Sequence, residues 1–219
     1  MSELQEYEKA ARWFRHATDE DYDTIASVYS YARLKMIQGG NPRQWGTKYP
    51  LPERIHEDID GRHTILLVDD AADIPAPSPD VPYDPPVLRE RRGEHERVIG
   101  IFSVFHDPDP DYKVIDGDWL DDLPYTTIHR VASSGLARHA AADLLTWSKK
   151  TFGNVRCDTG LKNHAMQHIL ESQGFTRCGN IIMPENDEIE NVRVAYQWNG
   201  RTLVPSAPSR LAERRLVHA

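Results

Sequence analysis

The sequence predicts an α/β domain built on one sheet, and three observations carry that prediction. Short apolar runs of strand length recur from Thr64–Val68 onward. From Thr126 to the end of the patterned region, such runs alternate with helical stretches, as crossover connections require. A chain of 219 residues that is 39% hydrophobic and 27% charged is long enough for one sizeable core.

The elements follow in order. Residues 13–17 read as a short strand. Thr18 is an N-cap, and Asp19, Glu20 and Asp21 form an acidic first turn. The helix they open has apolar positions Tyr22, Ile25, Val28, Tyr29, Ala32 and Met36, and Gly39-Gly40 stops it. A loop rich in helix breakers spans 41–50, and Leu51-Pro52 opens a second helix. Thr64–Val68 is a buried strand. Residues 70–96 carry six prolines from Pro75 to Pro86, then the charged run 89–94, and read as a surface insertion. Strands are expected at 98–105 and 126–132. A helix at about 138–150, a strand at 155–158, a helix at 163–173 and strands at 176–183 and 192–198 follow. The reading is one domain over residues 1–198 with a tail at 199–219.

Charge and composition exclude several functions. Thirty-four acidic against 26 basic residues give a formal charge of −8, which disfavours nucleic acid as a partner. No run reaches the roughly 18 apolar residues of a membrane span, and the first residues lack a secretory pattern, so the expected location is cytoplasmic. Cys157 and Cys178 are the only cysteines, too few for a disulfide framework or a four-cysteine metal site. His164 and His168 are four apart on a helix but lack a third ligand at metal-site spacing, so no metal is expected.

Residues 163–175 form an amphipathic helix capped by Asn163 and stopped by Gly174, with Phe175 entering the next strand. Here the chain resembles the GNAT superfamily of N-acetyltransferases, whose late helix and strand often read N-x-x-A-x-x-L-Y-x-x-x-G-F. Asn163, Gly174 and Phe175 match in register, and Met166 stands at the small apolar position. Gln44-Trp45, Tyr49-Pro50, Tyr112, Ile115, Gly117, Trp119-Leu120, Tyr125, Ile128–Gly135, Trp147 and Arg156–Thr159 resemble a bacterial subfamily of it.

The resemblance implies a GNAT-like α/β fold: a mixed, mostly antiparallel sheet with splayed central parallel strands and flanking helices. It also implies acetyl-CoA as co-substrate and acyl transfer to the amine of a small molecule or peptide. Val131, Ala132 and Ser133 would pair with pantetheine. Arg138, His139, Ala140 and Ala141 would meet the pyrophosphate at a helix N-terminus, with Asn163 nearby. A homodimer is a further expectation, left open.

Three positions depart from the family pattern. His139 replaces a glycine of the phosphate turn, and its β-carbon and ring would crowd the site. Leu170 replaces the tyrosine that often protonates the leaving thiolate, and Gly160 stands where the subfamily more often has histidine. These departures motivate the alternative of a non-catalytic acyl-CoA-binding or interaction module.

Tyr125, His129 and Asp158 are the catalytic candidates, and each has a bland reading. His129 and Arg130, adjacent on a strand, are expected to point to opposite faces, one of them into the site or both in structural bonds. Asp158 either bonds the amine or caps a turn. Trp45 and Tyr49 line an acceptor pocket or anchor their loop, and Asp118 with Trp119 binds an ammonium or belongs to an acidic surface loop.

Overall fold

The computed structural model describes residues 12–70, 95–183 and 191–200 and contains, among them, twelve strands and helices, eleven of which follow the expected order. They are β1 (Arg12–His16), α1 (Tyr22–Gln38), α2 (Pro52–Asp60), β2 (Thr64–Asp70), β3 (Glu96–Phe105), β4 (Ile115–Gly117), β5 (Thr126–Ser133), α3 (Ala140–Phe152), β6 (Asn154–Gly160), α4 (His164–Ser172), β7 (Thr176–Ile182) and β8 (Val192–Asn199). The strands form one sheet in the order β1-β2-β3-β5-β6-β8-β7-β4. Every neighbouring pair is antiparallel except β5–β6. The expected mixed, mostly antiparallel sheet is therefore the observed one.

Period-two alternation builds a core on each face. Phe14, Leu67, Ile99 and Phe102 pack under α3 and α4 with Leu144, Leu145 and Leu170. Their strand neighbours Trp13, Leu66 and Ile101 turn the other way, against Ile25 and Tyr29 of α1 and Ile55 and Ile59 of α2. A small third cluster gathers Tyr112, Ile181 and Ala195 at the β4 end of the sheet.

The bounds of three segments need correction. Asp70 and Glu96, the first and last residues read as insertion, are partners in the β2–β3 ladder, and Arg97 forks onto Asp69 with both bonds at 2.9 Å. The remainder of that stretch, 71–94, lies outside the described residues, as do residues 1–11 and the tail from 201. Asn199 belongs to β8, not to the tail. The α3 helix starts at Ala140 instead of 138, because His139 has a left-handed backbone (φ 64°) and ends the preceding turn. The sequence also did not reveal the 3₁₀ turn Pro110–Tyr112, opened by Asp109, or the three-residue β4. Both are too short for a periodic signal. Among the described residues no helix is long and apolar enough to cross a membrane.

Candidate active site

The parallel seam between β5 and β6 is brief. Thr126 pairs with Val155 and Thr127 with Arg156, after which no pairing of the two strands is recorded. A bulge in β5 accompanies the parting. Ser103 opposes His129 and Ile101 opposes Ala132, so Arg130 and Val131 together face Phe102. Arg130 absorbs the extra residue at φ 53°, a left-handed conformation costing about 1–2 kcal/mol for a residue with a β-carbon.

Buried polar contacts hold that conformation. Arg130 donates from Nε to Asp58 Oδ2 at 2.8 Å, places Nη2 2.6 Å from the same oxygen, and donates from Nη1 to the Tyr49 hydroxyl at 3.1 Å. Ser103 Oγ also donates to Asp58 Oδ2, at 2.8 Å. The bulge has a second effect. Ile128 and Val131 both join the core under α3 and α4, whereas His129 reaches Asp109 and Arg130 reaches Asp58 of α2 on the opposite side. His129 and Arg130 thus share a face, contrary to the alternation expected of a regular strand.

A cavity of about 640 Å³ opens where the strands part. Ile128, Val131, Cys157, Met166 and Ile169 line it from the α3–α4 face, and Trp45, Tyr49, His129, Arg130 and Arg193 from the other. One cavity can touch both faces of a sheet only through a gap in it. Ala132, Ser133, Asp158 and Asn163 also line it. The loop before α2 closes one end. Gln44 Oε1 accepts from Asn163 Nδ2 at 2.8 Å and from Asn41 Nδ2 at 2.7 Å, and Gln44 O accepts from Arg193 Nη2 at 2.9 Å. A β-carbon at Gly160 would stand 2.8 Å from Gln44 Oε1, so the glycine there permits this closure. Trp45 lines the cavity and also anchors the loop, edge-on to Tyr29 at 5.6 Å.

Around His129 gather four more ionisable side chains, Asp109, Asp158, Tyr112 and Arg193, of which Asp158 and Arg193 line the cavity with it. His129 Nε2 lies 2.6 Å from Asp109 Oδ2, and His129 Nδ1 lies 3.5 Å from Asp158 Oδ1. The Tyr112 hydroxyl donates to that same Asp158 oxygen at 2.7 Å, and Arg193 Nε is 3.7 Å from the other. Burial pushes the Asp109 carboxyl up, but the hydrogen bond and charge of His129 pull it below the ordinary carboxylate range. Burial and the charge of Asp158 push the Tyr112 phenol well above its usual value, which keeps it a neutral donor. The Cys157 thiol is pushed up chiefly by burial and stays protonated.

Other candidates lie elsewhere. Tyr125 and Trp119 do not line the cavity; the Arg156 guanidinium stacks on both rings, 3.9 and 4.1 Å from their centroids. The Tyr125 hydroxyl accepts from Asp109 N at 3.2 Å. Asp118 is exposed beyond β4. Arg138, His139, Ala140 and Ala141 form the adjoining turn and helix start, outside the cavity lining, with the His139 ring exposed. Arg12 secures that turn, donating to Arg138 O at 3.2 Å and to the buried Asp143 carboxylate at 3.0 Å. His164 and His168 are exposed on α4, His164 at the rim of the cavity and His168 away from it, and Leu170 is fully buried in the core. Asp109, Tyr112, Arg193 and Asp58 were missed as site residues. Each contacts His129, Asp158 or Arg130 across at least 20 positions of sequence.

No protein-family model and no curated protein matches this sequence. Solved structures do. A GNAT-family acetyltransferase from Streptococcus agalactiae is 25% identical, with a TM-score of 0.64, over 87% of this chain and 96% of its own. A GNAT-family acetyltransferase from Listeria monocytogenes is 14% identical, with a TM-score of 0.55, over 85% of this chain and 94% of its own. The chain has the GNAT acetyltransferase fold.

Proposed function

We propose that this GNAT-fold chain transfers an acetyl group from acetyl-CoA to the amine of a small molecule or peptide. The gap between β5 and β6 carries the reading. Beyond Thr127 the β6-facing edge of β5 has no strand partner among the described residues, and buried backbone amides need hydrogen-bond partners. An extended, amide-bearing pantetheine arm fits such an edge. Val131, Ala132 and Ser133 would bond it, and Val131, Met166 and Ile169 would cover it on the α3–α4 side. The start of α3 suits the pyrophosphate, since free N–H groups and the helix dipole favour an anion there. Arg138 and His139 would add charge-assisted contacts, and the left-handed backbone at His139 is one that glycine adopts without strain.

The acceptor would enter from the opposite face, where Trp45, Tyr49, His129 and Asp158 meet. Holding two reactants in one gap converts their encounter into a unimolecular step, and a backbone N–H at the bulge would polarise the thioester carbonyl. Direct attack needs a neutral amine, so a side chain on this wall must accept a proton.

Two measurements test the proposal. Saturating acetyl-CoA should raise the melting temperature, because a ligand that binds only the native state stabilises it by mass action. A panel of primary amines should contain one that releases free CoA thiol above the rate of hydrolysis. No thermal shift at millimolar acetyl-CoA would overturn the binding, and a shift without thiol release from any amine would favour a binding module.

A further inference from the structure

Asp109 is not among the residues lining the cavity, yet both of its oxygens are engaged. Oδ1 accepts the Asp111 N–H at 2.9 Å, and Oδ2 lies 2.6 Å from His129 Nε2. A carboxylate accepting at both oxygens is ionised, so the proton shared with the imidazole rests on Nε2. In its neutral form the ring then carries its one lone pair on Nδ1. That atom faces Asp158 Oδ1 at 3.5 Å, and both residues line the cavity. Asp158 is already committed, because Tyr112 donates to Oδ1 and Arg193 stands at Oδ2. Both Asp158 oxygens therefore have partners, whereas Nδ1 is the acceptor atom that His129 presents beside them.

We infer that Asp109 is a positioning residue that fixes His129 in the Nε2–H tautomer, so that Nδ1 takes the proton of the acceptor amine and Asp158 stabilises the imidazolium. The inference rests on the acyl-transfer reading above. In the step, the amine lone pair forms the C–N bond to the thioester carbon, and the C–S electron pair departs on sulfur as thiolate. The amine proton passes to His129 Nδ1, and the imidazolium returns it through water to the thiolate. No dedicated acid is then needed at Leu170, which is sealed in the core. The groups facing the ring are Asp109, Asp111 and Tyr112 from the turn at 109–112, Asp158 from β6, Arg130 beside it on β5, and Arg193 behind Asp158 on β8. The edges of Phe105 and Tyr112, with centroids 5.7 and 6.0 Å away, brace the ring.

The test combines nitrogen-15 NMR of histidine-labelled protein with kinetics of Asp109→Asn. In the unsubstituted protein, neutral His129 should show a protonated Nε2 and a lone-pair Nδ1. In Asp109→Asn the amide oxygen keeps the Asp111 N–H and its NH₂ faces the ring, so the proton should move to Nδ1. Turnover should then fall at least about tenfold with the KM for acetyl-CoA unchanged, the pattern of a base in the wrong tautomer. A ring protonated on Nδ1 in the unsubstituted protein, or Asp109→Asn with unchanged tautomer and turnover, would overturn the inference. The NMR measurement uses no substrate, so it judges Asp109 whether or not an acceptor amine is found. An Nε2–H ring in a protein that acylates nothing counts against the acyl-transfer reading instead.

Discussion

Two seams lie on either side of β6 and could hardly differ more. Along β8 it pairs at seven successive positions, from Asn154↔Asn199 to Gly160↔Arg193. Along β5 it pairs at two and then parts. The closed seam carries inward side chains such as Tyr196 and Val194, both essentially without exposure, and it behaves as ordinary sheet. The open seam leaves backbone groups facing a cavity in the middle of the molecule, where an unmet hydrogen bond is costly. The difference teaches how this fold makes a site: it withholds pairing from one strand edge and builds its binding surface from the edge left over.

That contrast can be broken by releasing what holds the seam open. The bulge depends on Arg130, whose guanidinium is buried against Asp58. Asp58→Ala leaves that charge without its partner and should cost about 3–5 kcal/mol, the range for breaking a buried ion pair from one side. Chemical denaturation measures it. A loss under about 1 kcal/mol would mean that water or Tyr49 alone suffices for Arg130.

The contrast sharpens if one truncation is made at both seams. Val194→Ala, in the closed seam, removes two buried carbons and should cost roughly 1.5 kcal/mol with acetyl-CoA affinity unchanged. Val131→Ala, on the open edge and half-buried, should cost clearly less stability while weakening acetyl-CoA binding. Equal stability losses and equal affinities would erase the distinction between the seams.

The smallest effect concerns the turn that follows the open edge. His139 holds φ 64° with its ring exposed, so His139→Gly relieves about 1 kcal/mol of backbone strain, partly offset by the freer unfolded chain. A slight rise in melting temperature is expected. Tighter acetyl-CoA binding in the same variant would show that the side chain crowds the phosphate position, and weaker binding that it contacts the phosphates.

Much of the fold was legible in the residues because it is set locally. Tyr22 to Met36 show a helical stripe that Gly39 ends, and Asn163 caps α4 by accepting the Met166 N–H at 3.2 Å. Thr64–Val68 and residues 98–105 announce strands by apolar content alone. Parts of the site were legible too: His129, Asp158, Val131 and Asn163 were picked out, and the structure brings them to one cavity. Trp119 and Tyr125 were picked out with them, but the guanidinium of Arg156 occupies their faces. A one-dimensional pattern does not say which partner an aromatic ring will meet.

The sequence by itself determined the longer strands and helices, their order and the caps, since each depends on neighbours within a few residues and on the periods 3.6 and 2. The tertiary structure alone decided where β5 bulges, where its seam with β6 stops and which atom of His129 faces the cavity. Those features rest on bonds between distant residues, Arg130 to Asp58, Gln44 to Arg193 and Asp109 to His129, and a bulge shifts every later side chain to the other face without any change in composition.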